Sequence, residues 1–411
     1  MLQFLYYFIF SLTLFYGLYY LLTGFYGFFK PKKFRIKPYM PKNKFAIIIA
    51  ARNEEYVVGH LVTSLLKSNY PDNLYEIFVA VNNTTDNTAE VAKKAGATVI
   101  MVKEKVKSKG EVLRYVFREL KPRDDINAYI IFDADNIVHP DFLSRMNDTL
   151  CTGYNVAEGF RDSKNMNDNW ITGSTSLFYY MQNFFFNKSR MTLGNSASIN
   201  GTGFMISKEK VDRDGFNTHT LTEDIEFTAQ CALKNEPIAF VEGAVTYDEQ
   251  PVTFKASWKQ RKRWSVGTLQ CMRLYCLKLW GHFLKTGNQS AFDMSMNFIA
   301  PIVQVLCLVE FFALIVFRIF NVQLYDVFST MYSSGMFFLL LSYVGGVIVS
   351  VFVIKYNQRK AKNVISSIVL FAIFILTWIP INVICLFKKN MVWEEIKHKR
   401  GIDVKEMNLE K

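Results

Sequence analysis

Two aspartates, Asp133 and Asp135, stand at the end of an apolar run, Ala-Tyr-Ile-Ile-Phe, that begins at residue 128. The run predicts a buried strand, so both carboxylates are expected at the carboxyl-terminal tip of that strand. Open α/β sheets bind their ligands at this edge, and paired carboxylates suit a hard divalent cation that holds a phosphate group. Acidic residues are also common in turns that follow strands, so this pair alone leaves both interpretations open.

Further groups of polar residues follow in a fixed order. They are Asn200-Gly-Thr-Gly203-Phe, Thr222-Glu223-Asp224, Tyr247-Asp-Glu-Gln-Pro251 and Gln260-Arg-Lys-Arg263-Trp264. Taken alone, the first is a glycine-rich turn and the second an ordinary capped helix start. The last is typical of a helix beside a membrane, with its cations and aromatic rings at the lipid headgroups. Their order downstream of the two aspartates is what favours a shared site.

The segments that position these groups alternate between strand-like and helix-like patterns. Strands are predicted at 44–50, 77–81, 97–102 and 128–133, and helices at 51–66, 89–95 and 111–120. Strands that alternate with helices at this spacing indicate βαβ units and a mainly parallel sheet. The predicted fold class is therefore α/β.

Long apolar segments flank this central domain. Residues 2–29 carry no charged side chain, and 291–317, 331–354 and 364–387 are further candidate spans, since about 20 apolar residues suffice to cross a bilayer. The first segment lacks a basic start and a small-residue cleavage site, so a retained anchor is expected rather than a signal peptide. Pro301 interrupts the second segment, part of which could be interfacial or re-entrant.

The net charge of +12 is concentrated beside the apolar segments, in residues 30–37 and 255–285. Because basic flanks face the cytoplasm, they predict a cytoplasmic central domain in a multi-pass protein of the cell membrane. A basic belt in this position fits anionic lipid headgroups better than nucleic acid. One conflict stays open. An outside N-terminus followed by three later spans would put the tail outside, although the basic residues at 388–389 and 397–400 favour the cytoplasm.

The cysteines and histidines predict no metal site. The six cysteines include no C-x-x-C pair, and the five histidines are scattered along the chain. Reduced thiols are therefore expected, as in a cytosolic and membrane protein, and no zinc site is visible.

In this order and spacing, Asp133-Ala-Asp135, Thr222-Glu223-Asp224 and Gln260-x-x-Arg263-Trp264 resemble the D-x-D, T-E-D and Q-x-x-R-W motifs of the family 2 glycosyltransferases. They look most similar to the membrane-embedded, processive synthases of cellulose, hyaluronan, chitin and poly-N-acetylglucosamine. The resemblance covers residues from about 40 to about 270. It implies a GT-A type domain with a mostly parallel sheet, flanked by N- and C-terminal transmembrane helices, and inverting transfer from a nucleotide-activated sugar.

The resemblance also implies roles for individual residues. Asp133 and Asp135 would hold the donor diphosphate, Asp135 chiefly through Mg²⁺ or Mn²⁺, and Asp224 would be the general base. The nucleotide-sugar contacts implied are Ala51, Asn53, Glu54, Asn82, Lys109, Asp133, Gln260, Arg263 and Trp264. The acceptor contacts implied are Gly203, Glu223, Asp224 and Trp264.

One position departs from the family pattern. Relatives usually carry an aspartate where this chain has Asn82, in the stretch Val-Asn-Asn-Thr-Thr. An amide can still form hydrogen bonds with a base or a ribose, so binding survives in principle, while the identity of the nucleotide becomes less certain.

The predicted organisation has five parts: an anchor at 1–30, a cytosolic GT-A domain at 40–250, amphipathic interfacial helices at 251–290, transmembrane helices at 291–390 and a charged tail at 391–411. The favoured function is a polysaccharide synthase that extends a β-linked glucan from UDP-glucose and exports it through its own spans. The alternatives are a polymer made from UDP-N-acetylglucosamine, or a non-processive transferase that forms a glycolipid. A nucleotide-binding receptor or transport component without turnover is the competing class.

Overall fold

The computed structural model describes residues 2–30, 36–320, 335–360, 364–387 and 401. The predicted tail at 391–411, apart from Gly401, and the basic residues at 388–389 and 397–400 lie outside these ranges. So does part of the predicted span at 331–354.

Eight strands form one sheet in the order β3-β2-β1-β4-β7-β6-β8-β5. They are β1 Phe45–Ala51, β2 Tyr75–Val81, β3 Thr98–Met101, β4 Ala128–Asp133, β5 Ile137–Val138, β6 Val156–Ser163, β7 Phe204–Ser207 and β8 Ile238–Asp248. Strands β3, β2, β1 and β4 run parallel to one another, while β7 is antiparallel to both β4 and β6. The predicted α/β class with a mostly parallel sheet is confirmed.

The helices that pack around the sheet are α2 Val58–Leu65, α3 Thr88–Lys94, α4 Lys109–Leu120, α5 Phe142–Cys151, α8 Lys208–Asp214 and α9 Glu223–Leu233. A nearly continuous helical stretch contains α6 Trp170–Met181, a π-helical segment Gln182–Lys188 and α7 Ser189–Leu193. The remaining helices are α1 Leu2–Phe25, α10 Phe254–Thr286, α11 Gln289–Ile319, α12 Gly335–Tyr356, α13 Ile365–Leu376 and α14 Trp378–Phe387.

Strands β1 and β4 form because their apolar runs are buried on both faces, as is typical of the inner strands of a parallel sheet. Residues 45–49 of β1 are fully buried, and so are 128–132 of β4. In the strand register Ala50 lies opposite Asp133, and Ala51 lies opposite Val81. The carboxyl ends of β1, β2 and β4 therefore meet at one edge of the sheet, as expected for a ligand site.

The start of α2 differs from the sequence-based expectation. A helix was predicted from residue 51, but α2 begins at Val58. Asn53 has φ +57°, and the amides of Glu54 and Glu55 donate to Thr88 Oγ1 and Asp86 Oδ2 at 2.8 and 3.1 Å. These acidic residues form a loop bound to the start of α3, because contacts distant in sequence replace the first helical turn.

Three helices in the described ranges are long and apolar enough to cross a membrane: Gln3–Phe28, Gln289–Phe317 and Ile365–Phe387. A shorter apolar helix covers Tyr343–Tyr356. Only 6% of the most apolar window is buried in each of the first two, against 33% in the third. The third helix therefore has far more protein around it than the others.

A buried ion pair joins the central domain to two of these helices. Arg190 on α7 is fully buried, and its Nε and Nη2 donate to the Asp293 carboxylate on α11 at 2.5 and 2.9 Å. Tyr19 on α1 donates its hydroxyl to the same carboxylate at 2.5 Å. Removing one partner of such a pair leaves an uncompensated buried charge, so this contact fixes α1 and α11 against the domain.

Candidate active site

Lys109, the first residue of α4, connects three of the sequence motifs. Its Nζ donates to Asp133 Oδ1 and to the Gly201 carbonyl, both at 2.5 Å. It also lies 3.9 Å from Glu223 Oε1. The D-x-D strand, the glycine loop and the T-E-D helix therefore meet around one ammonium group.

Gly110 allows this close approach. A Cβ at this position would lie 2.3 Å from Thr218 Oγ1 and 3.1 Å from Glu223 Cβ. The first separation is shorter than real Cβ atoms show and the second is already tight, so a larger residue would push the start of α4 away from Thr218 and the start of α9. The Lys-Gly pair, which alone would be only a turn, thus brings Lys109 and Glu223 together.

Asp224 faces the glycine loop. Its Oδ2 lies 3.2 Å from where a Cβ of Gly201 would stand, and Gly201 has φ +89°. Thr222 precedes α9 but forms no capping hydrogen bond with its side chain, so capping does not explain the Thr-Glu-Asp sequence. Of the loop glycines, Gly201 is the one beside this acid, whereas a Cβ on Gly203 would lie 2.8 Å from Thr246 Cγ2 on β8.

The acids of the site differ in their electrostatics. Burial raises the pKa of Asp224, against the opposing charges of Lys109, Arg161 and Arg263. Burial also raises the pKa of Glu223 to about 7, with Lys109 opposing it. For Asp133 burial acts in the same direction, but Lys109, Arg161 and Arg263 together hold its pKa below the usual value. Environments that separate the pKa values of neighbouring acids are typical of acid–base and binding roles.

An ion pair between Arg161 and Asp248 borders the site and was not predicted as part of it. Arg161 Nε donates to Asp248 Oδ2, and its Nη1 donates to the Asn200 carbonyl, both at 2.7 Å. The guanidinium lies 4.1 Å from the ring centre of Tyr179. Burial raises the pKa of Asp248 to about 6, with Arg161 opposing the shift. Asp248 lies in a group that the sequence order singled out, whereas nothing in the sequence marks Arg161.

The side chain of Asp135, which follows β4, lies beside the end of β8 and next to the Arg161–Asp248 ion pair. Its Oδ2 accepts from the Glu249 amide at 3.1 Å, and its side chain is buried. Within the ranges that the structure describes, no three Asp, Glu, His or Cys side chains form a ready metal site. The residues nevertheless fit a magnesium-type ion, which is commonly held by one or two carboxylates together with the phosphates of a substrate.

The helix α10 presents two different faces at the Gln-Arg-Lys-Arg-Trp sequence. Gln260 Oε1 and Arg263 Nε are buried and have no hydrogen-bond partner. The charge of Arg263 acts on both Asp133 and Asp224, so this side chain lies toward the acids. Arg261 lies on another face, where its Nη1 donates to the Phe374 carbonyl at 3.1 Å and to Thr377 Oγ1 at 2.7 Å.

Trp264 belongs to a cluster of aromatic rings. It stacks on Phe178 at 6.3 Å and on Trp378 at 6.2 Å between ring centres, and it meets Tyr179 edge to face at 6.1 Å. Tyr179 in turn covers Arg161. The cluster thus extends from the acids to the C-terminal apolar segment.

The loops after β1 and β2 lie side by side at the same edge of the sheet. The backbone amide of Asn82 donates to the backbone carbonyl of Ala51 at 3.2 Å. The side-chain oxygen of Asn53 accepts from the Thr85 amide at 2.9 Å. Asn82 Oδ1 is buried without a hydrogen-bond partner, which leaves it available to a donor group on a ligand.

Comparison with known proteins identifies the family. A family profile described as "Glycosyltransferase like family 2" matches residues 41–267. The chain is 26% identical over 260 residues to a beta-monoglucosyldiacylglycerol synthase of Nostoc sp., which covers 61% of this chain and 54% of that relative. The chain thus spans about half the length of that relative.

Another relative is matched nearly end to end. The poly-beta-1,6-N-acetyl-D-glucosamine synthase of Staphylococcus epidermidis is 22% identical over 390 residues, which are 90% of both chains. Among solved structures, mannosyltransferase PcManGT from Pyrobaculum calidifontis, in complex with GDP-Man and Mn²⁺, superposes with a TM-score of 0.59 at 12% identity. The match covers 92% of this chain and 99% of that one, and it establishes the fold.

Proposed function

Because the chain belongs to the glycosyltransferase-like family 2, we propose that it transfers a hexosyl group, with glucose favoured, from a UDP-sugar to an acceptor hydroxyl at the cytoplasmic face of the membrane. The chain is a hexosyltransferase by family. The observation that carries the proposal is the meeting of Asp133, Glu223 and Gly201 around Lys109, with Asp224 beside that loop.

The donor diphosphate would lie between Lys109, Arg263 and the two aspartates of the D-x-D motif. Arg263 supports this role because its Nε is buried without a partner, and a guanidinium can bind two phosphate oxygens at once. Asp135 and Asp133 would hold Mg²⁺ or Mn²⁺, which neutralises charge on the leaving diphosphate. Asn82, Ala51, Asn53 and Glu54 line the edge where the nucleoside would lie.

Asp224 would be the general base. It accepts the proton of the acceptor hydroxyl while the oxygen forms a bond to the anomeric carbon, and the bond from that carbon to UDP breaks with inversion. Burial raises the pKa of Asp224, which makes it a stronger base than an ordinary aspartate. Glu223 and Trp264 would contact the acceptor from either side.

The exposed apolar helices favour a lipid as the acceptor. The apolar windows of Gln3–Phe28 and Gln289–Phe317 are only 6% buried, so in the described part of the chain these helices are not packed into a closed pore. Export of a polymer through the protein's own spans therefore stays a prediction without structural support. The likeness to a glucosyldiacylglycerol synthase points in the same direction.

Polymer synthesis is the second candidate, because the poly-N-acetylglucosamine synthase matches 90% of the chain, which is more than the central domain alone. One experiment separates the two. The purified protein in liposomes with diacylglycerol receives radiolabelled UDP-glucose or UDP-N-acetylglucosamine, with Mg²⁺, Mn²⁺ or a chelator. A single-sugar lipid supports the proposal, and a long, enzyme-digestible polymer supports the second candidate. Absence of sugar transfer from every UDP-sugar would reject both.

A further inference from the structure

The C-terminal apolar segment Ile365–Phe387, composed of α13 and α14, contacts α6 of the central domain near its start and α10 near its end. Near its start, Ser367 meets Gly173 on α6, where a Cβ would lie only 2.0 Å from Ser367 Oγ. Near its end, Cys385 Sγ lies 3.7 Å from the Lys262 carbonyl on α10. Ile381 and Cys385 also pack against Val266 and Leu269 of α10.

These contacts are difficult to reconcile with a bilayer crossing. If α13 and α14 formed one straight helix, Ser367 and Cys385 would be about 27 Å apart along its axis, close to the roughly 30 Å thickness of the hydrocarbon core. A crossing helix of that length would have one end at the far face of the membrane. Here both ends touch α6 and α10, the two helices that carry Tyr179 and Trp264.

The burial pattern of the segment is one-sided throughout its length. The exposed apolar residues recur every three to eight positions and share one helical face: Ile365, Val369, Ile373, Leu376, Ile384 and Phe387. The opposite face is buried, and includes Ser367, Phe371, Phe374, Ile381 and Cys385. The outward face is therefore apolar and suited to contact lipid, while the opposite face is held by protein.

The middle of the segment reaches the active-site aromatic cluster. Trp378 stacks on Trp264 at 6.2 Å and lies 4.9 Å from Phe178 between ring centres. Arg261 holds this region in place through the Phe374 carbonyl and Thr377 Oγ1. Both tryptophans are partly exposed, so their rings are accessible beside the proposed acceptor position.

We propose that Ile365–Phe387 lies along the membrane face of the catalytic domain instead of crossing the bilayer, and that Trp378 forms a wall of the acceptor site beside Trp264. The placement stands on contacts alone, whereas the acceptor role rests on the proposed function. The acceptor would be amphiphilic, with its hydroxyl group at Asp224 and its apolar part along the segment.

Cysteine labelling tests the placement without any assay of activity. Lys360→Cys and Phe320→Cys are placed at exposed positions before the segment and at the far end of α11, and Asn390→Cys is placed three residues after the segment in the sequence. Cells are treated with a membrane-impermeant maleimide before or after permeabilisation, and labelled sites are identified by peptide mass spectrometry. Lys360→Cys and Asn390→Cys should react only after permeabilisation, and Phe320→Cys in intact cells. Reaction of Lys360→Cys and Asn390→Cys from opposite sides would overturn the proposal.

Substitution of Trp378 tests the acceptor role. Trp378→Leu should raise the acceptor KM about 2- to 12-fold, the range expected for the loss of one aromatic contact, with UDP-sugar affinity unchanged and Trp378→Phe partly restoring the wild-type value. Trp280→Leu on the distal half of α10 is the matched control. An unchanged acceptor KM in folded Trp378→Leu overturns the acceptor role. Failure of the wild-type protein to transfer sugar would instead reject the proposed function and leave the labelling result standing.

Discussion

Gly267 on α10 lies directly against Thr222, two residues before Asp224. A Cβ at Gly267 would stand 2.4 Å from both Thr222 Oγ1 and Thr222 Cγ2. The helix that carries Arg263 and Trp264 is thereby pressed against the turn that carries the proposed base. This contact fixes the distance between the proposed donor-binding residue Arg263 and the proposed base Asp224.

Gly267→Ala should therefore lower kcat by about 10- to 100-fold, because a shift of about 1 Å at reacting groups can cost as much as 10²-fold. Gly281→Ala on the same helix is the control, since a Cβ there would meet nothing within 4 Å. Steady-state kinetics of both variants gives the comparison. Equal activities would mean that the turn adjusts without moving Asp224.

Asp224→Asn should reduce turnover by roughly 10²- to 10⁴-fold, the usual contribution of a positioned general base. The amide has the size of the carboxylate but cannot accept the proton. Affinity for the UDP-sugar, measured by calorimetry, should stay near the wild-type value. A variant that keeps full turnover would remove Asp224 from the mechanism, and loss of donor binding would assign it a different role.

The pH dependence of kcat/KM should show an acid limb above the ordinary aspartate value of 3.8, since burial raises the pKa of Asp224. The base must be ionised to accept a proton, so activity is present above the raised pKa and is lost as the pH falls through it. The residual activity of Asp224→Asn should lack this limb. A limb at or below the ordinary value would contradict the environment described for this acid.

Asp135→Asn should weaken activation by Mn²⁺ and Mg²⁺, because an amide is a poorer ligand for a hard cation than a carboxylate. Titration of the chelator-treated protein with Mn²⁺ should give a higher half-activating concentration, and water-proton relaxation measures the Mn²⁺ affinity directly. Glu249→Gln serves as a neighbouring control, since Asp135 accepts from the Glu249 backbone amide. Identical Mn²⁺ affinities in Asp135→Asn and wild type would place the ion elsewhere.

Arg190→Ala should destabilise the protein by about 3–5 kcal/mol, because it leaves the Asp293 carboxylate buried without its cation. The control is Glu242→Gln, which removes a pair with Lys188 in which the side chains are 21% and 45% exposed, and which should cost at most about 1 kcal/mol. Thermal unfolding in one detergent compares the two. A similar loss in both variants would show that the Arg190–Asp293 pair is not specially buried.

The sequence predicted four of the eight strands to within two residues, and three of them, β1, β2 and β4, are buried apolar runs. The last residue of β4 is Asp133, as expected. The predicted start of α2 was wrong because Asn53, Glu54 and Glu55 form hydrogen bonds with residues at or just before the start of α3. Patterns of neighbouring residues in the sequence do not reveal such distant partners.

The site was predictable only in part, for a similar reason. The motif residues themselves are marked by type and order, and the structure brings Lys109, Asp133 and Glu223 together. Arg161 was missed because its partner Asp248 is 87 positions away on another strand. Trp378 was missed because an apolar helix near a C-terminus is normally interpreted as a bilayer crossing.

Arg261 and Arg263 are two residues apart, yet one holds the C-terminal segment and the other lies toward the acids. If the proposed roles hold, displacement of that segment, for example by a harsh detergent, should disturb sugar-nucleotide binding as well as acceptor access. Activity should therefore be compared in several detergents and in lipid, because loss of activity in one detergent can result from displacement of this segment.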